Sequence, residues 1–257
     1  MIRSYKSTDV VKILDFIKDN PQQLIIFQTN VVNKKNYAYE CHLSENDGFV
    51  DTVILSQGSS AYVTLSDNTD IEELVMFFKF NGAVSEINGT VEDIDRLLPY
   101  FENADSENYY IAKLSGTPNE YPCRYTIKQT DGIRDLRCVY SLLEKGGLIK
   151  VSFDEYYIVR REAISELKGR TYIVYDGDKP VCTASSMYEM HPLAFLGGIA
   201  TDPEYRNMGI AKGLVSHLCK ALTDEGFSIW LSYKNAVAGS VYKHIGFEDC
   251  LKCKRII

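Results

Sequence analysis

No stretch of the 257 residues is apolar and long enough to cross a bilayer, and the first residues carry neither a signal-peptide nor a lipidation pattern. The expectation is a cytoplasmic protein with no membrane partner. Cysteine is sparse: seven residues, at 41, 123, 138, 182, 219, 250 and 253, form no framework and read as reduced thiols. Cys250-x-x-Cys253 has no second pair and no spaced histidines. No metal site is expected, and alternation along a final strand accounts for the pair. Positive charge is also short, since the formal net charge is -7 and no basic face offers itself to a nucleic acid. Of the four histidines, His42, His191, His217 and His244, none has a nucleophile partner in sequence that suggests a triad. No G-x-G-x-x-G follows an early strand, and no acidic ribose partner can be placed, which argues against a dinucleotide-dependent dehydrogenase.

The charge that is present is unevenly shared. Residues 1–118 hold nine Lys/Arg against eighteen Asp/Glu, whereas residues 119–257 hold nineteen against seventeen. A half that binds phosphates gains nothing from a negative field, so an anionic ligand belongs to the second half. The acidic first half suits a cationic amine.

Apolar periodicity and turn residues predict an α/β chain of two domains, 1–118 and 119–257. In the first, a helix over Asp9–Lys18 stops at Asn20-Pro21, and an ambiguous apolar run covers Leu24–Val32. Strands are expected at Tyr37–Leu43, Val50–Leu55 and Ala61–Leu65, a helix at Asp70–Phe80, a strand at Ala83–Ile87, a helix at Val91–Phe101 and a strand at Tyr109–Leu114. Ser115–Pro122, with two prolines and a glycine, reads as a linker. The second half opens with a strand at Arg124–Lys128 and helices at Ile133–Lys145 and Phe153–Leu167. A hairpin follows, Thr171–Tyr175 with Val181–Met187, turned by Asp176-Gly177-Asp178-Lys179.

The chain is organised around Leu193–Leu222. An apolar strand leads through Thr201-Asp202-Pro203 into a helix with Ile210, Leu214, Leu218 and Leu222 at helical spacing. Between them lie Arg206-Asn207-Met208-Gly209-Ile210-Ala211-Lys212, a cation and then a glycine that lets backbone approach a ligand. A helix start offers unpaired N–H groups and partial positive charge, so the loop suits a phosphate or pyrophosphate. Downstream, Ser228–Tyr233 reads as a strand ending near Asn235. A short helix then carries Tyr242, four residues before Gly246, and a last strand covers Phe247–Arg255.

The loop Arg206-x-x-Gly209-x-Ala211, followed in register by Asn235 and Tyr242, resembles the acetyl-coenzyme A motifs of the GCN5-related N-acetyltransferases (GNAT superfamily). The resemblance implies their acyl-CoA N-acyltransferase fold in the second half, acetyl-CoA as cosubstrate and, as acceptor, a primary amine of a small molecule or amino-acid-like compound, or an amino-terminal group. It also implies an enzyme without a metal that acts by direct attack, as a monomer or homodimer. By the same resemblance the pantetheine arm lies along Gly198, Ile199, Ala200 and Thr201, and the N–H of Ile199 or a neighbour faces the thioester carbonyl. Asn235 meets the arm, and Tyr242 protonates the departing sulfur. Glu189 is the expected base, with Glu155 or water as alternatives. Trp230, Tyr156 and Tyr157 read as core or as cleft lining. The other reading is a catalytically silent coenzyme A binding or sensing module.

The order of strands and helices from Tyr37 to Leu114 repeats that from Thr171 to Arg255. The first half therefore reads as a degenerate copy, with Ser66-Asp67-Asn68-Thr69-Asp70 where the anion loop would fall. Such a layout looks like the branch with the FR47-like and glycine N-acyltransferase-like proteins.

Overall fold

The computed structural model describes residues 1–28, 39–82 and 84–257. The chain divides into two compact units, Met1–Ile111 with Cys250–Ile257, and Ala112–Asp249. Both are mixed α/β.

In the first unit, β1 (Arg3–Ser4) precedes α1 (Val10–Ile17) and α2 (Pro21–Ile26). Ile13 and Ile17, one turn apart, bury the inner side of α1. Asn20 caps α2 by accepting the Gln23 N–H at 3.1 Å. A meander of β2 (Tyr39–Asn46), β3 (Phe49–Gln57) and β4 (Ser60–Leu65) turns first at Asp47-Gly48, both residues at positive φ as a tight hairpin requires. Helix α3 (Ile71–Phe80) crosses to β5 (Glu86–Thr90), which runs parallel to β4. Next come α4 (Val91–Leu97) and β6 (Ser106–Leu114). Pro99 converts the end of the expected longer helix into a single 3₁₀ turn. The strand expected at Ala83–Ile87 begins instead at Glu86, and its residues Gly89 and Thr90 pair with the chain's last strand. Residue 83, the start of the strand expected from Tyr37, and residues 29–32 of the ambiguous run lie outside the described residues.

In the second unit, β7 (Thr126–Gln129) is followed by α5 (Ile133–Lys145), α6 (Phe153–Ser165), β8 (Thr171–Asp176), β9 (Lys179–Met190) and β10 (Leu193–Thr201). Helix α7 (Ile210–Asp224), β11 (Ser228–Tyr233) and α8 (Ala236–Ile245) follow, and the chain ends in β12 (Phe247–Ile256), whose residues from Cys250 onward belong to the first unit. Strands lie in the order β11-β10-β9-β8-β7, with β10 and β11 parallel and the remaining neighbours antiparallel. Alternation along β8 sends Tyr172 and Val174 into one core with α7 residues Leu214, Leu218 and Leu222, and Ile173 into another with α5 residues Leu136, Val139 and Leu143. The sheet is thus the middle of three layers. Each fully buried leucine of α7 contributes roughly 1.5–3 kcal/mol of transfer free energy.

The stretch expected as a linker is held along α7 and α8. Ser115 N–H donates to Gly246 O at 2.9 Å, Asn119 N–H donates to Ile245 O at 2.8 Å, and Ser216 Oγ donates to Asn119 O at 2.8 Å. Gly213 explains the close approach, because a Cβ there would meet Pro122 O and Cys123 Cβ at 3.2 Å. The two halves of the chain share one connectivity. In each, a three-strand antiparallel meander passes through a helix to a strand parallel with its last member, then through a second helix to a further strand.

Candidate functional site

Strands β10 and β11 pair from Leu193 and Ser228 only as far as Leu196 and Leu231. Beyond that point Gly197–Thr201 has β9 on one side and, among the described residues, no strand partner on the other. The parting coincides with a bulge. From Gly197, opposite Ser185, to Ala200, opposite Thr183, β10 takes three steps where β9 takes two. Gly198 sits in the bulge at φ +58°. A side chain there would meet Ser185 Oγ only at 3.5 Å, so the backbone conformation, not lack of space, selects glycine. The result is a half-buried backbone edge over Gly198, Ile199 and Thr201, open to an extended ligand.

The edge runs directly into the anion loop. Asp202 caps the 3₁₀ turn Pro203–Tyr205 by accepting the Glu204 N–H at 3.1 Å and pairs with Lys145 at 3.2 Å. Burial pushes its carboxyl up, but these two partners outweigh it and hold the group below its ordinary range. Glu204 pairs with Lys179 at 2.6 Å. Both carboxylates of the turn are therefore neutralised. Arg206 is exposed and steadied by its Nε donating to Thr201 O at 3.3 Å. Asn207 and Gly209 both adopt the left-handed conformation, at φ +62° and +76°. Gly209 begins α7 without a side-chain cap, and the N–H of Gly213 makes the first helical bond to its carbonyl at 3.0 Å. The N–H groups of Ile210, Ala211 and Lys212 are consequently left for a ligand. Arg206 and Lys212 make no ion pair with a described residue, and Lys212 lies 4.0 Å over the Tyr121 ring.

Tyr242 on α8 is 7% exposed, between the rings of Tyr233 at 5.8 Å and Phe247 at 6.0 Å. Burial, helped by the Cys182 and Cys219 thiols, pushes its pKa well above the ordinary value. Its hydroxyl makes no hydrogen bond with a described residue. Asn235, expected to meet the ligand, has its side-chain oxygen engaged as the cap of α8, accepting the Ala238 N–H at 2.8 Å. Its amide nitrogen remains for a further contact.

Residues 136–247 match the sequence signature of the acetyltransferase (GNAT) family. The second unit is a GNAT-family domain. The GNAT likeness in fold extends over the whole chain. A GCN5-related N-acetyltransferase from Sphaerobacter thermophilus superposes with a TM-score of 0.70 at 13% identity, covering 99% of this chain and 94% of that one. A GNAT-family acetyltransferase from Colwellia psychrerythraea gives 0.62 at 12% identity, over 100% and 98%. Among curated proteins, the Escherichia coli ribosomal protein bS18-alanine N-acetyltransferase is 36% identical over 59 residues, 22% of this chain and 40% of that enzyme's length. Among the described residues no helix is long and apolar enough to cross a membrane.

Both carboxylates expected as base are engaged by neighbouring residues. Glu189 pairs in register with Ala194, at the opposite end of β10 from the bulge. Both its oxygens are taken by Arg170, at 2.8 and 2.7 Å, and Ser186 Oγ also donates to it. Glu155 closes the capping box of α6, where the Ser152 hydroxyl and N–H hold its carboxyl below the ordinary range. His191 packs edge-on to Phe227, and His217 edge-on to Tyr172. Cys250 is exposed and Cys253 buried. One buried group escaped sequence reasoning. Arg160, 2% exposed, donates to Thr171 Oγ1 at 2.7 Å and to Ser186 O at 3.2 Å, and pairs with no carboxylate among the described residues. Only its spacing of four from the buried Tyr156 marks it as inward-facing.

Proposed function

We propose that the chain is an acetyl-CoA-dependent N-acetyltransferase that acylates the primary amine of a small, amino-acid-like acceptor by direct attack. The observation that carries the reading is the parting of β10 from β11 beside an uncapped, cation-flanked start of α7. The backbone edge and the uncapped helix start follow one another along the chain, separated by the turn Asp202–Tyr205. Arg206, Asn207, Met208, Gly209, Ile210, Ala211 and Lys212 would hold the pyrophosphate through backbone N–H groups and two cations. Gly198 to Thr201 would bind the arm. Acetyl-CoA bound there would supply an activated thioester carbonyl, and the N–H of Ile199 or a neighbour would donate to its oxygen.

Tyr242 is the group nearest in kind to a general acid. With its pKa raised above about 10, complete proton transfer to a thiolate of ordinary pKa near 8.5 runs uphill by roughly 2 kcal/mol or more. Its hydroxyl therefore serves as a hydrogen-bond donor that stabilises the departing sulfur, while the proton comes in the end from the acceptor's ammonium. Glu189, its oxygens held by Arg170, is replaced as base by solvent. The E. coli relative is named for an alanine of a ribosomal protein, which makes an amino-terminal acceptor the second candidate.

We infer also that the first unit is a second copy of the fold that has lost its ligand site. Asp70 caps α3 with its own carboxylate, accepting the Glu73 N–H at 3.0 Å, and Glu72 adds further negative charge. On β4 the Val63 carbonyl accepts from Gln23 Nε2 at 2.7 Å, where an added strand would need it free.

A silent coenzyme A module would share the loop and the edge, but would have no use for a Tyr242 hydroxyl that bonds to no described residue. The test is calorimetric titration with coenzyme A, followed by acetyl-CoA and a panel of amines with free thiol measured. Binding with amine-dependent thiol release is the expected result. Binding without release for any amine would favour the module, and no binding would overturn both readings.

A further inference from the structure

A groove of about 400 Å³ lies along the flank of α5, lined by Ile133, Arg134, Arg137, Cys138, Ser141 and Pro180. Four of these residues fall at i, i+3, i+4 and i+7, so one side of the helix presents two guanidiniums, a thiol and a hydroxyl in a row. Neither arginine makes an ion pair or a hydrogen bond with a described residue. The neighbouring cations differ: Lys128 pairs with Asp135 at 2.8 Å, Lys145 with Asp202 and Lys179 with Glu204. Asp135, Asp202 and Glu204 are thus spent on lysines, and neither arginine pairs with a described carboxylate. Arg137 is also pre-oriented. Its guanidinium lies 4.1 Å over the Phe153 ring, which is itself fixed edge-on to Tyr140 at 5.5 Å. A guanidinium held over an aromatic ring, with its N–H groups bonded to no described residue, can grip a planar or tetrahedral oxyanion by paired hydrogen bonds.

We propose that this groove is a second binding site, for the anionic end, carboxylate or phosphate, of a small organic molecule whose body rests on Ile133 and Pro180. Its volume is that of an ordinary small-molecule site. The groove is separate from the anion loop of α7 but not remote from the opened edge. Gly146, five residues beyond Ser141 on the same chain segment, abuts Ala200, whose Cβ would lie 3.6 Å from an added Cβ at 146. Five helical residues span about 7.5 Å. The bound anion therefore belongs either to the far end of an acceptor whose amine reaches the edge, or to a separate small molecule. The first source rests on the function proposed above, and the site itself does not.

The test uses the full chain and phenyl phosphate as probe. Calorimetry should show binding to the wild type, weakened at least tenfold in Arg134→Ser/Arg137→Ser, with coenzyme A affinity unchanged and the same melting temperature. Both substituted residues are exposed, so the variant should fold. Equal affinity of probe for the two proteins, or no binding to either, would overturn the proposal. A parallel loss of coenzyme A affinity would also overturn it, by making the groove part of the donor site. The two sources separate in turnover with acetyl-CoA. A rise in KM for O-phosphoethanolamine but not for ethanolamine in the double variant assigns the site to the acceptor. A change in the wild-type rate with ethanolamine on adding phenyl phosphate, absent from the variant, assigns it to a separate ligand. The calorimetric result stands even if no amine is acetylated.

Discussion

Leu196 and Leu231 are the last residues at which β10 and β11 pair, and the bulge at Gly198 begins two residues further on. The backbone proposed to receive the donor's arm is the part of β10 beyond that last pair.

At the loop, Gly209→Glu should weaken coenzyme A binding at least 100-fold by placing a like charge at the start of α7. A Cβ there meets no protein atom within 4 Å, so any loss of stability comes from the φ of +76° and should stay near 1–2 kcal/mol. Arg206→Ala should cost about 1.5–3 kcal/mol of affinity, the worth of a charged hydrogen bond. Calorimetry on both variants, checked by melting temperature, measures this; full affinity in folded Gly209→Glu would remove the phosphate assignment.

Tyr242→Phe keeps both ring contacts and deletes a hydroxyl that bonds to nothing described in the protein, so stability should hold or rise slightly. If the hydroxyl donates to the departing sulfur, kcat should fall about 10- to 150-fold while the KM for acetyl-CoA stays within about twofold. A kcat within threefold of wild type would leave the residue as packing alone.

Asn235 has two duties that substitution can separate. Asn235→Ala removes the cap of α8 and should cost about 1 kcal/mol, whereas Asn235→Ser restores the cap without the amide nitrogen. Should that nitrogen also contact the ligand, coenzyme A affinity will fall equally in both variants although only one melts lower. Wild-type affinity in Asn235→Ser would confine the residue to capping.

Titration should give one coenzyme A per chain, because Asp70 fills with its own carboxylate the helix start that Gly209 leaves open. Two equivalent sites would refute the degenerate-copy reading of the first unit.

Asp9 provides the expected pH dependence of the first unit. The Arg3 guanidinium, bonded at 2.7 Å, holds its carboxyl down to about 2 against the opposing effect of burial. A depressed carboxyl stabilises the fold above its unfolded pKa near 3.9 and ceases to as pH falls through 2. Since Arg3 is partly exposed, the contribution is about 1–2 kcal/mol. The stability difference between wild type and Asp9→Asn, from urea unfolding followed by circular dichroism, should shrink by half or more between pH 5 and pH 2.5. A constant difference would show that the pair is not what depresses Asp9.

What the sequence discloses is what is local. Ile210, Leu214 and Leu218 announce α7 by spacing, and Arg206 and Gly209 announce its start, because helix and cap are made of neighbours. The end of pairing at Leu196 and Leu231 is not legible, since it depends on residues 35 positions apart. Glu189 misleads for the same reason: a carboxylate at a strand end looks available until Arg170, 19 residues earlier, is seen to take both its oxygens. Arg160 and Arg161 are adjacent and alike in sequence, yet one is buried and the other exposed. The proline-rich stretch after Leu114 carries every compositional sign of a tether, and only Ser216 and the carbonyls at the end of α8 reveal it as packed chain.

Residues Cys250–Ile257 belong to the first unit, where Cys253–Ile256 pair with β5. At roughly 5–20 residues per second on the ribosome, the strand that borders β5 is made on the order of 10–30 s after Ile111. Throughout that interval Glu86–Thr90 is an uncovered sheet edge of the kind that invites pairing with other chains. The unit that emerges first is the last to be finished, and cutting the chain after Asp249 to isolate the GNAT domain would leave the other unit permanently at that unfinished stage.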